Sequence, residues 1–284
     1  MYESYFNNKL TNALVYYVFL LLLLLISPFL FFCELVTILR SCFQPIENMS
    51  GKVVLITGAS SGLGELIAYE YAKKGACLVI VAIKEPEKRC MFIDHLVCNA
   101  GIGSLYSINI GVTKFTPVMD INFWGSIYPT YFAIPHLIRT NGKIVVNASC
   151  GGVLHPPKGG FYNASKAALI SFYESLRFEV SPRVTITILT LGFIETNMIT
   201  PKYSTSGVGV SLRKGFGTIH PTMGAESCAI AIVDGVCKGA TSITEPRFIK
   251  ALFLIKFLFP GLHRFHMNIF SLGFSKELKG TYEN

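Results

Sequence analysis

The chain has no run of basic residues and no cysteines at metal-binding or disulfide spacing, and each absence removes a class of function. Its 25 Lys and Arg exceed its 17 Asp and Glu, for a net charge of +8. They are scattered, with no nucleic-acid motif, so the balance suits an anionic lipid surface or a phosphate-bearing ligand and excludes a nucleic-acid partner. The cysteines (Cys33, Cys42, Cys77, Cys90, Cys98, Cys150, Cys228 and Cys237) read as reduced core or near-core residues, with no metal site. Charge is scarce altogether, at 15% of residues, and the mean hydropathy of +0.48 is high for a purely soluble domain. Part of the chain is therefore expected to meet lipid, while 284 residues suffice for one large core or two modest ones.

The apolar excess lies at the amino end. "ALVYYVFLLLLLLISPFLFF", Ala13 to Phe32, carries no charge, and "CELVTILRSCF" extends it with only Glu34 and Arg40. Twenty apolar residues match a membrane-crossing helix, at ~1.5 Å per residue across a ~30 Å hydrocarbon layer. The run is too long for a signal-peptide core, and no small-x-small site follows it. Pro28 is expected to kink the helix or turn it into a hairpin. Flanking Lys9, Arg40 and Lys52 leave orientation, and spanning versus monotopic insertion, open. After the linker "QPIENMSGK" a globular pattern begins, dividing the chain into an anchor with linker, 1–50, and one domain, 51–284.

That domain opens on a strand, "KVVLIT", then "GASSGLG", a helical "ELIAYEYAKKGA" and a second strand, Leu78–Ile83. This is a βαβ unit of the dinucleotide-binding kind. Gly58 permits the tight exit from the strand, Gly62 lets backbone approach a pyrophosphate, and Gly64 allows close helix–sheet packing. The helix amino end then offers free N–H groups and a positive dipole to phosphate.

A second constellation follows downstream. "KIVVNASCGG" is a strand running into a turn at Ser149, and "FYNASKAALISFYESLRFEV" is helical, with Tyr162 and Lys166 one turn apart on one face. A tyrosine is a poor proton donor near neutrality, its reference pKa being about 10, and a nearby cation stabilises the phenolate. Ser149 can hydrogen-bond a carbonyl or hydroxyl oxygen as charge develops there.

Taken together, "TGASSGLG", "NAG" (99–101), "NFWG" (122–125), Ser149, "YNASK" (162–166) and "LGFIETNM" (191–198) resemble the short-chain dehydrogenase/reductase superfamily. More narrowly, with the proline-containing apolar anchor, the chain is similar to the plant 11-beta-hydroxysteroid dehydrogenase-like proteins, or steroleosins. The resemblance implies a Rossmann-like doubly wound parallel α/β sheet. It makes Tyr162 the general acid/base, Lys166 its activator and the holder of the nicotinamide ribose, and Ser149 the residue that orients the reacting oxygen of the substrate. Asn122 would support a water relay behind Lys166. Gly58, Ser60, Ser61, Gly62, Leu63 and Gly64 would cradle the pyrophosphate, Asn99, Ala100 and Gly101 line the adenosine side, and Ile194 and Thr196 meet the carboxamide. NADP(H) is expected ahead of NAD, with Lys84, Lys88 or Arg89 in place of the arginines that grip the 2′-phosphate in relatives. The implied substrate is a hydroxyl or ketone on an apolar, sterol-like molecule. The implied setting is a membrane, of the endoplasmic reticulum or a lipid droplet, with a second copy of the chain as a further candidate partner.

The sequence departs from that pattern in three places. Cys98 stands where relatives often have a first Asn, and Leu191-Gly192 replaces Pro-Gly. The larger departure is length: Gly64 and Asn99 are only 35 positions apart, roughly half the family's interval. The third strand and both its flanking helices are expected to be missing, with the second strand left as an edge and one sheet face partly bare. Ile83 to Asp94, stretched, reaches ~40 Å, enough to span the gap but too little to cover the sheet. The intact Asn122, Ser149, Tyr162 and Lys166 favour an oxidoreductase. The short interval favours the alternative, a lipid-surface protein that keeps the fold remnant without turnover. Further on, 201–224 reads as a loop over the substrate, Ala225–Lys238 as a helix, and the tail from Glu245 to Phe274 as an amphipathic membrane-surface segment or a subunit interface.

Overall fold

The computed structural model describes residues 2–42, 45–81, 92–103, 115–196 and 221–279. The chain falls into two compact units, Met1–Pro45 and Ile46–Asn284. The first is a single helix, α1 (Tyr2–Cys42). Its stretch Ala13–Cys33 has a mean hydropathy of 2.6 and is nowhere buried. Pro28 neither breaks the helix nor turns it back. The carbonyl that loses its partner to the missing Pro28 N–H is that of Leu24, and the Ser27 hydroxyl donates to it at 3.0 Å.

The second unit is built on β1 (Val53–Thr57), α2 (Gly62–Lys73), β2 (Cys77–Val81) and β3 (His95–Cys98). A short α3 (Thr116–Met119), a π-turn (Asp120–Trp124) and α4 (Gly125–Thr140) lead into β4 (Lys143–Asn147). Then come α5 (Gly151–Leu154), α6 (Gly160–Val180), β5 (Thr185–Leu189), β6 (Ile194–Glu195) and β7 (Met223–Gly224). The unit closes with α7 (Ala225–Cys237), β8 (Ser242–Ile243), α8 (Ile249–Leu258) and α9 (Pro260–Lys279). The main sheet is parallel, in the order β2-β1-β3-β4-β5-β8.

Strand alternation splits the core into two layers. Val54, Ile56, Val97 and Val145 face α2 and α7, where Ile67, Tyr71, Ile232 and Val236 meet them. Leu96, Ile144, Val146 and Ile186 face α4 and α6, against Leu137, Leu169 and Tyr173. Each fully buried Ile or Leu contributes roughly 1.5–3 kcal/mol, so the two layers hold the unit together without the α1 helix.

Strands β2 and β3 lie on either side of β1. Among the described residues β2 has no outer neighbour, and Cys77 and Ile80 on it are exposed. Cys77 thus departs from the near-core expectation, standing at the start of β2 with no outer strand beside it among the described residues. Cys98, Cys228 and Cys237 are buried, and no described cysteine forms a disulfide. The connector 82–91, the loop 104–114 and most of the substrate-covering stretch, 197–220, lie outside the described residues.

The linker is fastened to the amino-terminal edge of the sheet. The Glu47 N–H donates to the Cys237 carbonyl at 3.0 Å. Its carboxylate takes the ammonium groups of Lys52 and Lys143, each at 2.5 Å, and lies 3.3 Å from His95 Nε2. Burial alone would raise the Glu47 carboxyl, but the bonds from His95, Lys143 and Lys52 outweigh it and hold it well below the usual carboxylate range. Burial lowers the His95 pKa against the pull of Glu47, and its Nδ1 shares a hydrogen bond with the Tyr71 hydroxyl at 3.1 Å.

Candidate active site

The site forms at the carboxyl ends of β1, β3 and β4. As β1 ends, Gly58 turns at φ +66°, and a Cβ there would stand 2.7 Å from the Ala100 Cα. A Cβ on Gly64 would collide with the Gly58 carbonyl and the Asn99 amide. The β3 loop is pinned to the same turn. Thr57 Oγ1 accepts the N–H groups of Asn99 (3.1 Å) and Ala100 (3.2 Å), and Asn99 Nδ2 donates to the Gly58 carbonyl at 3.1 Å.

Above Gly62 there is room: the nearest neighbour of a Cβ would be Thr196 Cβ at 3.8 Å. The Ser61 hydroxyl makes no bond to the start of α2, and Ser60 and Ser61 are exposed. The first-turn amides of α2 and this open, serine-lined space fit a pyrophosphate. Leu63 is buried under the turn and packs in the core instead of facing that space. Ile194, on β6, is buried, and Thr196 faces the turn from the opposite side. Lys84 lies outside the described residues, as do Lys88 and Arg89.

Ser149 follows β4, and its Oγ accepts the Gly151 N–H at 3.1 Å. The Tyr162 phenol lies beside the Ser149 hydroxyl, which lowers its pKa. Gly151 keeps them close, since a Cβ there would lie 3.4 Å from Ser149 Oγ and 3.5 Å from the Tyr162 ring. Burial pushes the Tyr162 hydroxyl up to about 12, against a smaller lowering by Ser149. Lys166 is buried one turn along α6, and burial brings its ammonium down to about 8. Its Nζ donates to the Asn147 carbonyl at 2.7 Å and lies 5.8 Å from the centre of the Tyr162 ring. In this arrangement burial, and not the lysine, governs the phenol.

Asn122 sits in the π-turn, fully buried. Such a turn carries one extra residue and commonly re-aims a side chain at a functional site. Its Oδ1 accepts the Ile102 N–H at 2.8 Å, and its Nδ2 donates to the Ile102 carbonyl (3.1 Å) and to Ser165 Oγ (3.0 Å). It meets Lys166 across Gly101, where a Cβ would stand 3.2 Å from Asn122 Oδ1 and 3.5 Å from Lys166 Nζ.

An apolar cavity adjoins this cluster. Cys150 and Gly192 border it, with Leu154, Phe193, Ile249, Leu252, Met267 and Phe270 as its walls. The sequence reading missed those walls, because α8 and α9 come to Ser149 only through the fold. It also missed Thr57 and Asn147. Their signals were present: Thr57 opens "TGASSGLG", and Asn147 stands two residues before Ser149.

A short chain dehydrogenase family model matches residues 52–90 and 82–207. The chain belongs to the short-chain dehydrogenase family. It is by family an oxidoreductase acting on CH–OH groups, with a nicotinamide dinucleotide as the redox partner. A Pinus massoniana 11-beta-hydroxysteroid dehydrogenase is 40% identical to this short-chain dehydrogenase over 259 residues, covering 76% of this chain and 73% of that one. An Arabidopsis thaliana 11-beta-hydroxysteroid dehydrogenase-like protein (4A) is 35% identical over 295 residues, covering 90% and 96%. Among solved structures, a short-chain dehydrogenase/reductase from Burkholderia phymatum in complex with NAD superposes with a TM-score of 0.66 at 21% identity, covering 76% and 96%. One from Burkholderia cenocepacia in complex with NADP does so at 0.65 and 18%, covering 78% and 98%. The dehydrogenase therefore has the Rossmann-like fold expected of it.

Proposed function

We propose that this short-chain dehydrogenase is a membrane-anchored, NADP(H)-dependent enzyme that interconverts hydroxyl and ketone on a steroid or sterol-like molecule. The observation that carries the reading is the Ser149–Tyr162 pair brought together at Gly151, with Lys166 behind it, beside an apolar cavity. The bound nicotinamide supplies or accepts the hydride. In reduction, Ser149 holds the substrate oxygen and the Tyr162 phenol gives it a proton as the carbon gains the hydride; oxidation runs in reverse. A phenol held up at about 12 is in its proton-donor form at neutral pH. Lys166 and Asn122 fix the geometry behind it, and the cavity excludes water from the reacting oxygen.

The basic residues that follow β2, Lys84, Lys88 and Arg89, support NADP over NAD. The unburied Ala13–Cys33 helix supports an anchor in the endoplasmic reticulum membrane or on a lipid droplet. The relatives' names support a steroid-like substrate.

Tyr162→Phe tests the chemistry: it keeps the ring and removes the proton. NADPH-dependent reduction of a steroid ketone should fall by roughly 10²–10⁴-fold. Retained turnover would exclude the mechanism.

A second reading is favoured by one observation. The alignment to the Arabidopsis relative runs over 295 positions while drawing on 90% of the 284 residues here, leaving about 40 positions without a counterpart in this chain. With the family model matching in two pieces that meet at 82–90, that supports a shortened adenine side and a lipid-surface protein without turnover. Calorimetric titration with NADPH and with NADH separates the two readings, since failure to bind either leaves only the second.

A further inference from the structure

The α8–α9 pair is apolar on both of its faces. Its inner face forms the cavity wall through Ile249, Leu252, Met267 and Phe270. It is clamped there by polar bonds to α5: the Lys256 ammonium donates to the Val153 carbonyl, and His263 Nε2 lies 3.0 Å from the Leu154 carbonyl. The outer face carries Leu254, Phe257, Leu258, Leu262, Phe265 and Ile269, of which Phe257 is 83% and Phe265 62% exposed. A helix on the surface of a water-soluble domain turns a polar face outward, so an outer face of this kind needs a cover.

Charge identifies that cover. From Pro246 to Lys276 there is no Asp or Glu, while Arg247, Lys250 and Arg264 are exposed around the apolar face. Arg247 has Glu245 beside it at 3.6 Å, but a second copy set symmetrically on the face would bring Lys250 and Arg264, on a stretch with no acid, against basic residues of their own kind. An anionic lipid surface offers acyl chains to the Phe and Leu side chains and phosphates to the Arg and Lys.

We infer that the outer face of α8 and α9 is a second lipid-contacting surface, independent of the amino-terminal helix. It places one wall of the cavity in the headgroup layer, where an apolar substrate dissolves. The last point rests on reading the cavity as the substrate site.

The test uses the full chain in vesicles of phosphatidylcholine with a minority of phosphatidylserine. Trp124 is the one native tryptophan, and its signal is subtracted as the parent background. Phe257→Trp places a probe on the face. Phe178→Trp, on α6 at 82% exposure, is the control. The expected result is a blue-shifted Phe257→Trp emission that is mostly lost with acyl-chain-brominated lipid, while Phe178→Trp keeps its emission. An unquenched Phe257→Trp would overturn the inference. So would a blue shift without quenching, which would mean that a second copy covers the face, and so would equal quenching at Phe178→Trp. Titration of the same vesicles with NADPH and NADH reports separately: failure of both with quenching intact would sink the enzyme reading and leave the lipid face standing.

Discussion

The side-chain amide of Asn147 donates to the side-chain oxygen of Asn99 across 2.9 Å. The Asn147 carbonyl holds Lys166, and the Asn99 amide holds Gly58. Four residues from four segments thus form one line of contacts from the buried lysine to the glycine turn. A shift at either end is felt at the other.

Asn147→Ala cuts that line and leaves the Lys166 contact, which is made to backbone. A net hydrogen bond contributes about 0.5–1.5 kcal/mol, so the affinity for NADPH should fall up to about tenfold. Calorimetric titration of wild type and variant would check this, and unchanged affinity would show that Asn99 is held well enough without it.

Lys166 gives a pH signature. Its pKa falls from 10.5 to about 8 on folding, because burial penalises the charge. The folded state therefore binds fewer protons than the unfolded state between about 8 and 10.5, and stability should rise with pH across that window. Tyr162, raised from 10.0 to about 12, works the other way only above 10. The Cys98, Cys150 and Cys228 thiols, raised from 9.0 by burial, also oppose the rise above about pH 9, so the readout is a difference. From pH 8 to 10 the melting temperature of the cofactor-free wild type should gain on that of Lys166→Met, which starts higher at pH 7.

Gly64→Ala separates packing from propensity. Alanine favours a helix interior over glycine by about 1 kcal/mol, so propensity alone predicts a more stable protein. The Gly58 carbonyl and the Asn99 amide occupy the space a Cβ would need, so the variant should instead lose stability and NADPH binding. Gly160→Ala, which meets open space, is the matched control in denaturant unfolding.

Much of the site was legible because its chemistry is local. Tyr162 and Lys166 share a helix face at fixed spacing, and the glycines sit between a strand and a helix that pattern predicts. Asn122 was legible only as part of a motif, since nothing in its neighbours' periodicity announces a π-turn. The cavity walls were not legible. Leu252 and Phe270 are about a hundred residues from Ser149, and only folding brings them together. The tail was expected to be amphipathic, but α8 has polar residues only at Lys250 and Lys256, and Lys256 turns inward. The hairpin expected at Pro28 did not form, and one hydroxyl, on the preceding residue, takes over the orphaned carbonyl.

Glu47 allows a prediction of its own. With its carboxyl lowered on folding, the stability it supplies is present above its ordinary pKa of 4.5 and is lost as pH falls below it. Glu47→Gln should lower the melting temperature at pH 7, with about 1–3 kcal/mol at stake, and blunt the acid sensitivity of the wild type. Melts at pH 7 and pH 4 on both proteins would show it.

The same clamp decides how the domain bears load. Tension applied to the chain ahead of Ile46 arrives first at Glu47, which is bonded to the bases of β3 and β4 and to the end of α7. The force is shared among three elements before it reaches β1, and it enters the sheet at the edge away from Ser149 and Tyr162. A drag or jostle on the leading segment is thereby spent on the base of the sheet, and Ser149 and Tyr162 at the far edge keep their registration.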